Sequence, residues 1–224
     1  MSICDFKCPE LPEGFTVTFH AGFLGTPENT VESVKTACEM NGDIVEFDVT
    51  FRKDGTPVII HKSLAEDNEG DSLDEALAVV ASHPSIKVNL DLKSTLNLPA
   101  VDELVRKYGL EQRVFYTGVG EDWVEDVKAN SFISYYLNHT ITPVEAMGGK
   151  AAQKLAGKIK ELGAIGLNSN FLTATQELVE VMHENGIPVS LWTPNDEITI
   201  KKVLKCAPDN MTTRRPDLAK KIIG

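Results

Sequence analysis

Short runs of β-branched and aromatic residues alternate with amphipathic stretches along the whole chain. Strand patterns fall at residues 16–20 (TVTFH), 43–49 (DIVEFDV), 86–92 (IKVNLDL) and 113–118 (RVFYTG). They continue at 132–138 (FISYYLN), 164–169 (AIGLNS), 187–192 (IPVSLW) and, more weakly, 210–213 (NMTT). Helical periodicity fills the gaps at 28–42, 72–84, 98–109, 121–130, 148–163, 173–186, 198–208 and 216–224. Several of these stretches close on glycine (Gly42, Gly109, Gly163, Gly186), the residue that most readily ends a helix. Strands separated by helices pair in parallel through right-handed crossovers. Eight of each predict a (β/α)8 TIM barrel. The domain spans 1–224, with a short N-terminal extension (1–15) and little or no insertion after the second strand. A doubly wound open sheet fits the same periodicity.

Alternation along each strand sorts its side chains into two faces. In the second strand Val45, Phe47 and Val49 suit a helix-facing side, which turns Glu46 and Asp48 inward. In the third, Val88, Leu90 and Leu92 face out, leaving Asn89, Asp91 and, just beyond, Lys93. The first strand turns Thr16, Thr18 and His20 inward, and the seventh Ser190 and Trp192. Trp192 at its strand end is either core or a pocket wall. The inward polar residues gather toward strand C-termini, where barrels of this kind carry their chemistry.

Glu46, Asp48 and Asp91 form a candidate carboxylate cluster. Carboxylates held close inside a protein need a raised pKa or a cation. Oxygen donors without cysteine favour Mg2+ or Ca2+ over zinc. His20 and His61, which ends the apolar run TPVIIH, are candidates for acid and base work near neutral pH. Lys93 offers a fixed positive charge for an anionic oxygen. These parts suit phosphoryl-transfer hydrolysis. Each has a plainer reading: Asp91 as the ion-pair partner of Lys93 or Lys87, and His20 as a satisfied core histidine. His83, His139 and His183 read as surface residues. At residues 28–30 (ENT) Asn29 or Thr30 reads as a helix cap, which leaves Glu28 needing a role.

Composition narrows the partners. Lys+Arg number 22 against 33 Asp+Glu, a formal net charge of −11, which disfavours a nucleic-acid partner. Cys4, Cys8, Cys38 and Cys206 have neither zinc nor disulfide-framework spacing and read as free thiols in a reducing compartment. The first residues lack a basic-then-apolar leader, and no apolar run reaches the ~18 residues that span a bilayer. The expectation is a cytoplasmic protein, without stable membrane insertion, acting on a small-molecule substrate; the oligomeric state is open.

The stretch FHAGFLGTPENTVESVKTACEMNGDIVEFDVTFRKDGTPVIIHK resembles the opening of the glycerophosphodiester phosphodiesterase family. The later IPVSLWTPND and NMTTRRPDL resemble its Trp-Thr and Thr-Asp-x-Pro segments, so the likeness runs from about residue 16 onward. It implies a TIM barrel that hydrolyses glycerophosphodiesters to glycerol 3-phosphate and an alcohol. By that resemblance Glu46, Asp48 and Asp91 bind one divalent ion, His20 and His61 are the acid/base pair, and Lys93 contacts phosphate. Glu28 becomes a supporting pocket residue.

Three positions depart from the family pattern. Ala21 stands where an Arg is usual, Lys62 where an Asp follows the second His, and Asp91 where Glu is commoner. Lys62 is a cation able to replace part of the lost Arg contact. The alternatives are a catalytically impaired phosphate-binding barrel, or a phosphodiesterase of the same superfamily with a different lipid-derived substrate. A phosphosugar isomerase or aldolase is disfavoured, because WTPNDE and NMTTRRPD lack the glycines of a phosphate cup.

Overall fold

A computed structural model describes residues 6–224. In chain order the elements are β1 (Thr16–Phe19), α1 (Val31–Glu39), β2 (Ile44–Phe51), β3 (Pro57–Ile59), β4 (Asp71–Ser72) and α2 (Leu73–Ala81). Then come β5 (Lys87–Leu92), α3 (Leu98–Lys107), β6 (Val114–Val119), α4 (Val124–Asn130), β7 (Tyr135–Asn138) and α5 (Pro143–Ala146). The chain continues with α6 (Gly149–Leu162), β8 (Gly166–Asn170), α7 (Gln176–Glu184) and β9 (Val189–Trp192). It ends with α8 (Glu197–Lys205), β10 (Asn210–Thr213) and α9 (Pro216–Ile223). This is the (β/α)8 TIM barrel that the strand and helix patterns predict. Among the short elements not foreseen are α5 and the strands β3 and β4, β3 antiparallel to β2 and β4 antiparallel to β3. The apolar run at 56–61 is thus part of a local excursion, while the main strands stay parallel.

Helix starts follow the caps written in the sequence. Thr30, Ser72, Thr142, Thr175 and Asp196 each accept a hydrogen bond from a backbone N–H of the first turn, satisfying donors that the helix leaves open. Of the two candidates before α1, Thr30 is the cap; Asn29 is used elsewhere.

By packing, the chain divides into two compact units, one of them Phe19–Tyr136. In it β2, β5 and β6 are parallel, with Glu46 opposite Asn89, Asp48 opposite Asp91, and Asp91 opposite Thr117. Every residue of β2 is buried, as expected when both faces of a parallel strand are covered. The outward set Val45, Phe47, Val49, Val88, Leu90 and Leu92 joins Val34, Leu73 and Leu77 of the helices in the core. Each such side chain contributes roughly 1.5–3 kcal/mol by leaving water.

The other unit combines the described residues up to Thr18 with Leu137–Gly224. Its strands β8, β9 and β10 are parallel, with Asn168 opposite Ser190 and Ser190 opposite Asn210. Asn210 Oδ1 accepts from the Thr16 and Thr18 hydroxyls at 2.9 and 2.8 Å. Its Nδ2 donates to Ser190 Oγ at 2.9 Å and to Thr212 Oγ1 at 3.3 Å. A buried polar network with its groups satisfied is tolerable where a half-satisfied one is not. His139, expected at the surface, is half-buried and paired with Glu145 at 3.0 Å.

Cys8, Cys38 and Cys206 are free thiols, and burial pushes the Cys38 thiol up to about 11; Cys4 lies outside the described residues. No helix among the described residues is long and apolar enough to cross a membrane.

Asp102 ties α3 to the segment before β7. It is buried and accepts from Ser131 Oγ at 2.5 Å and from the Phe132 N–H at 3.0 Å. Asp102→Ala strands both donors and is expected to destabilise by about 2 kcal/mol. The check is urea unfolding: the midpoint falls while the denaturant slope stays unchanged.

Candidate functional site

The strand register of the Phe19–Tyr136 unit brings the acidic side chains together. Asp48 and Asp91 are neighbours across β2 and β5, and Glu46 lies two residues earlier on the same face. One carboxylate oxygen from each of Glu46, Asp48 and Asp91 lies within 4.8 Å of the others. Glu46 and Asp48 are each 5% exposed, so water does little to separate their charges. Behind Asp91 stands Thr117, whose hydroxyl is 2.8 Å from both Asp91 Oδ1 and Asn89 Oδ1. Gly118 makes room for this arrangement. Its φ of +76° lies in the left-handed region, and a Cβ there would sit 2.8 Å from Asp91 Oδ1 and overlap the Leu92 carbonyl oxygen.

Without a cation the cluster resolves its charge in two ways. Lys93 Nζ bonds to Asp48 Oδ1 at 2.9 Å and pairs with Asp91 Oδ2. Burial opposes the Lys93 charge, but Asp91 and Asp48 outweigh it and raise the ammonium above its usual range. Burial likewise opposes ionisation of Asp48, yet the Lys93 charge and hydrogen bonds from Lys93 and Asn29 hold its carboxyl below the usual value. Glu46 has less help, from the Ala21 N–H and the Lys93 charge. Burial first, then the charges of Asp48 and Asp91, push it well above the usual carboxylate range, against the pull of the Ala21 N–H at 2.9 Å. With all three carboxylates ionised and Lys93 charged, two negative charges remain, the charge of one divalent ion. The donor set of Glu46, Asp48 and Asp91 therefore fits a hard divalent metal ion.

Both histidines predicted for chemistry border this cluster. His20 Nδ1 donates to the Ala21 carbonyl at 2.8 Å and lies 3.9 Å from Glu46 Oε2. A carbonyl oxygen only accepts, so Nδ1 carries the proton and Nε2 is the basic nitrogen of the neutral ring. His61 Nδ1 lies 3.1 Å from Asp48 Oδ2, and its side chain is 72% exposed. The ionised Asp48 selects the same tautomer, again leaving Nε2 for a substrate. The hairpin bearing His61 is tied to β2 by Ile60 N–H to Asp48 O, at 3.2 Å, and by Thr50 Oγ1 to Ser63 O, at 2.9 Å.

The other candidates are placed differently. Glu28 is exposed and packs against Gly22, where a Cβ would meet its Cγ at 2.6 Å. Lys62 Nζ is paired with Glu69 Oε1 at 2.6 Å on the surface, so its charge is directed to a carboxylate of the protein. Trp192 ends β9 in the other unit, and its indole Nε1 is a buried side-chain donor without a hydrogen-bond partner. Asn29, Thr117 and Gly118 belong with the site, yet the sequence reading did not single them out. The Asn29 carboxamide bonds both to the Asp48 carboxylate and to the Asp48 main chain. Only the ENT motif hinted at it, and there Asn29 competed with Thr30 for the role of cap.

Residues 20–79 match the model of the glycerophosphoryl diester phosphodiesterase family. That segment holds His20, Glu28, Glu46, Asp48 and His61 in the order and on the elements just described. Over that segment the chain is similar to this family. A glycerophosphodiester phosphodiesterase of Caldanaerobacter subterraneus is 24% identical over 222 residues, covering 85% of this chain and 90% of the relative. A crystal structure from Silicibacter pomeroyi shares the fold with a TM-score of 0.78 at 21% identity, covering 93% of each chain. A phosphodiesterase of Oleispira antarctica, solved with its product sn-glycerol-3-phosphate, has a TM-score of 0.75 at 20% identity, covering 95% of this chain and 97% of that one. Against the family pattern, Ala21 is buried and its N–H is spent on Glu46.

Gly118→Ala tests how tightly the cluster is set. The left-handed φ alone costs a non-glycine residue about 1–2 kcal/mol, and the backbone overlap adds to it. The expected result is a lowered melting temperature, together with displacement of Asp91 visible in a crystal structure of the variant.

Proposed function

We propose that this protein is a metal-assisted phosphodiesterase that converts glycerophosphodiesters to glycerol 3-phosphate and an alcohol. The observation that carries this reading is the pairing of two histidines with two carboxylates of one buried acidic cluster: His20 with Glu46 and His61 with Asp48. The match to the family model over residues 20–79 and the named activity of the relatives support it. The product complex of the Oleispira antarctica phosphodiesterase supports the product assignment.

Glu46, Asp48 and Asp91 would hold one divalent ion, Mg2+ or Ca2+, which when bound supplies Lewis-acid stabilisation of negative charge on the phosphate. Lys93 places an ammonium between Asp48 and Asp91, available to a phosphate oxygen when the carboxylates have another counter-ion. One histidine, neutral with a bare Nε2, takes the proton of the attacking hydroxyl as its oxygen bonds to phosphorus; the other, as an imidazolium with Nε2 protonated, gives that proton to the alcohol oxygen as its P–O bond breaks. The Ala21 carbonyl and the Asp48 carboxylate each hold an Nδ1–H in both charge states, so neither ring must turn before the transfer. Ala21 leaves the phosphate with less cationic support than the family pattern provides, and Lys62, paired with Glu69, does not restore it. A hydrolase with a loosely held phosphate therefore fits better than a tight phosphate-binding barrel.

The deciding assay is release of alcohol from glycerophosphocholine or an aryl phosphodiester with Mg2+ or Ca2+ present. EDTA should abolish turnover, and His20→Ala and His61→Ala should each lower kcat by about 10²–10⁴-fold. Turnover that survives EDTA, or either alanine variant at full rate, contradicts these roles. No turnover of any diester together with tight binding of glycerol 3-phosphate by calorimetry would favour the impaired binding barrel.

A second outcome follows from Glu46. Its carboxyl holds a proton above the usual range, and a metal ligand must be deprotonated. Affinity for the divalent ion should therefore rise with pH across the range where Glu46 ionises, with proton release that calorimetry in buffers of different ionisation heat detects. A pH-independent affinity would contradict Glu46 as a ligand.

A further inference from the structure

Asn29 is a buried polar residue that no helix requires. Thr30 caps α1, while Asn29 is 6% exposed and has a φ of 55°, in the left-handed region. Asparagine is among the non-glycine residues that adopt that region most readily, so the backbone can take this turn while the carboxamide is used elsewhere. The carboxamide meets Asp48 at two points. Oδ1 accepts from the Asp48 N–H at 2.8 Å, and Nδ2 donates to Asp48 Oδ2 at 2.7 Å. The amide orientation is determined, because a backbone N–H only donates and must face the amide oxygen. Asp48 Oδ2 is thus occupied by Asn29 and by His61 Nδ1 at 3.1 Å, while Oδ1 turns to Lys93 at 2.9 Å.

We propose that Asn29 is a positioning residue that sorts the two oxygens of Asp48, fixing Oδ2 toward His61 and offering Oδ1 to the cation. This deepens the metal-assisted reading above and rests on it. The backbone bond prevents Asp48 from shifting along β2, and the amide bond prevents its carboxylate from rotating. A carboxylate held at both ends keeps its geometry whether Lys93 or a metal ion faces its free oxygen. Groups that orient a metal ligand in this way typically carry 10–100-fold of metal affinity or activity.

The experiment is calorimetric titration of Mg2+ and of Ca2+ into wild-type protein and Asn29→Gly. Glycine takes the left-handed φ without strain and removes both hydrogen bonds. The expected result is a dissociation constant raised about 10–100-fold in Asn29→Gly. Asp102→Ala, destabilised at contacts that include no residue of the cluster, should keep wild-type affinity, which separates positioning from general loss of stability. Should Asn29→Gly fail to fold, Asn29→Asp carries the test. It keeps an acceptor for the Asp48 N–H but loses the donor to Oδ2, and kcat at saturating cation should fall at least about tenfold. Wild-type binding with Asn29→Gly within twofold, or Asn29→Asp with kcat within twofold, overturns the positioning role alone. Absence of any divalent binding to the wild type overturns the metal-assisted reading and this proposal together.

Discussion

Repulsion among Glu46, Asp48 and Asp91 is the constraint that the Phe19–Tyr136 unit is arranged around. The β2–β5 register forces Asp48 against Asp91, and burial of β2 removes the water that would screen them. The protein answers with an ammonium from Lys93, a retained proton on Glu46, and hydrogen bonds from Ala21, Asn29 and Thr117. Replacing such charged groups with apolar ones often stabilises a fold. Their presence is therefore better explained by chemistry than by stability.

The same constraint links the histidines to the cluster. His20 and His61 each meet one of its carboxylates through Nδ1, and each therefore turns Nε2 outward. Their environments still differ: His61 is largely open to solvent, whereas the His20 side chain is 25% exposed. The two rings share a tautomer but not a degree of access to water.

Much of this was legible in the sequence because strand periodicity is strict. A period of two placed Glu46, Asp48, Asn89 and Asp91 on one face without any tertiary knowledge, and the ordered motifs from His20 to His61 carried the resemblance that the family model matches over residues 20–79. The plainer reading of Asp91 as a partner of Lys93 describes the cation-free arrangement as well, since the pair forms. What stayed hidden depends on pairings distant in sequence. Asn29 reaches Asp48 across 19 residues, and Thr117 reaches Asp91 across 26. Local pattern cannot assign either contact, and at Asn29 it pointed toward capping. Lys62 was misleading in a different way: its charge was visible, but its engagement with Glu69 was not.

The β3–β4 excursion gives the site a modular construction. The acidic cluster is built into parallel strands whose register cannot slip without turning its carboxylates to the other face. His61 instead rides at the end of a short antiparallel hairpin, joined to β2 by a few hydrogen bonds. Changes in the length or composition of that hairpin can reshape one wall of the site while the carboxylates stay where they are. Substrate range in such a scaffold can diversify by loop exchange, with the charge-bearing centre inherited intact.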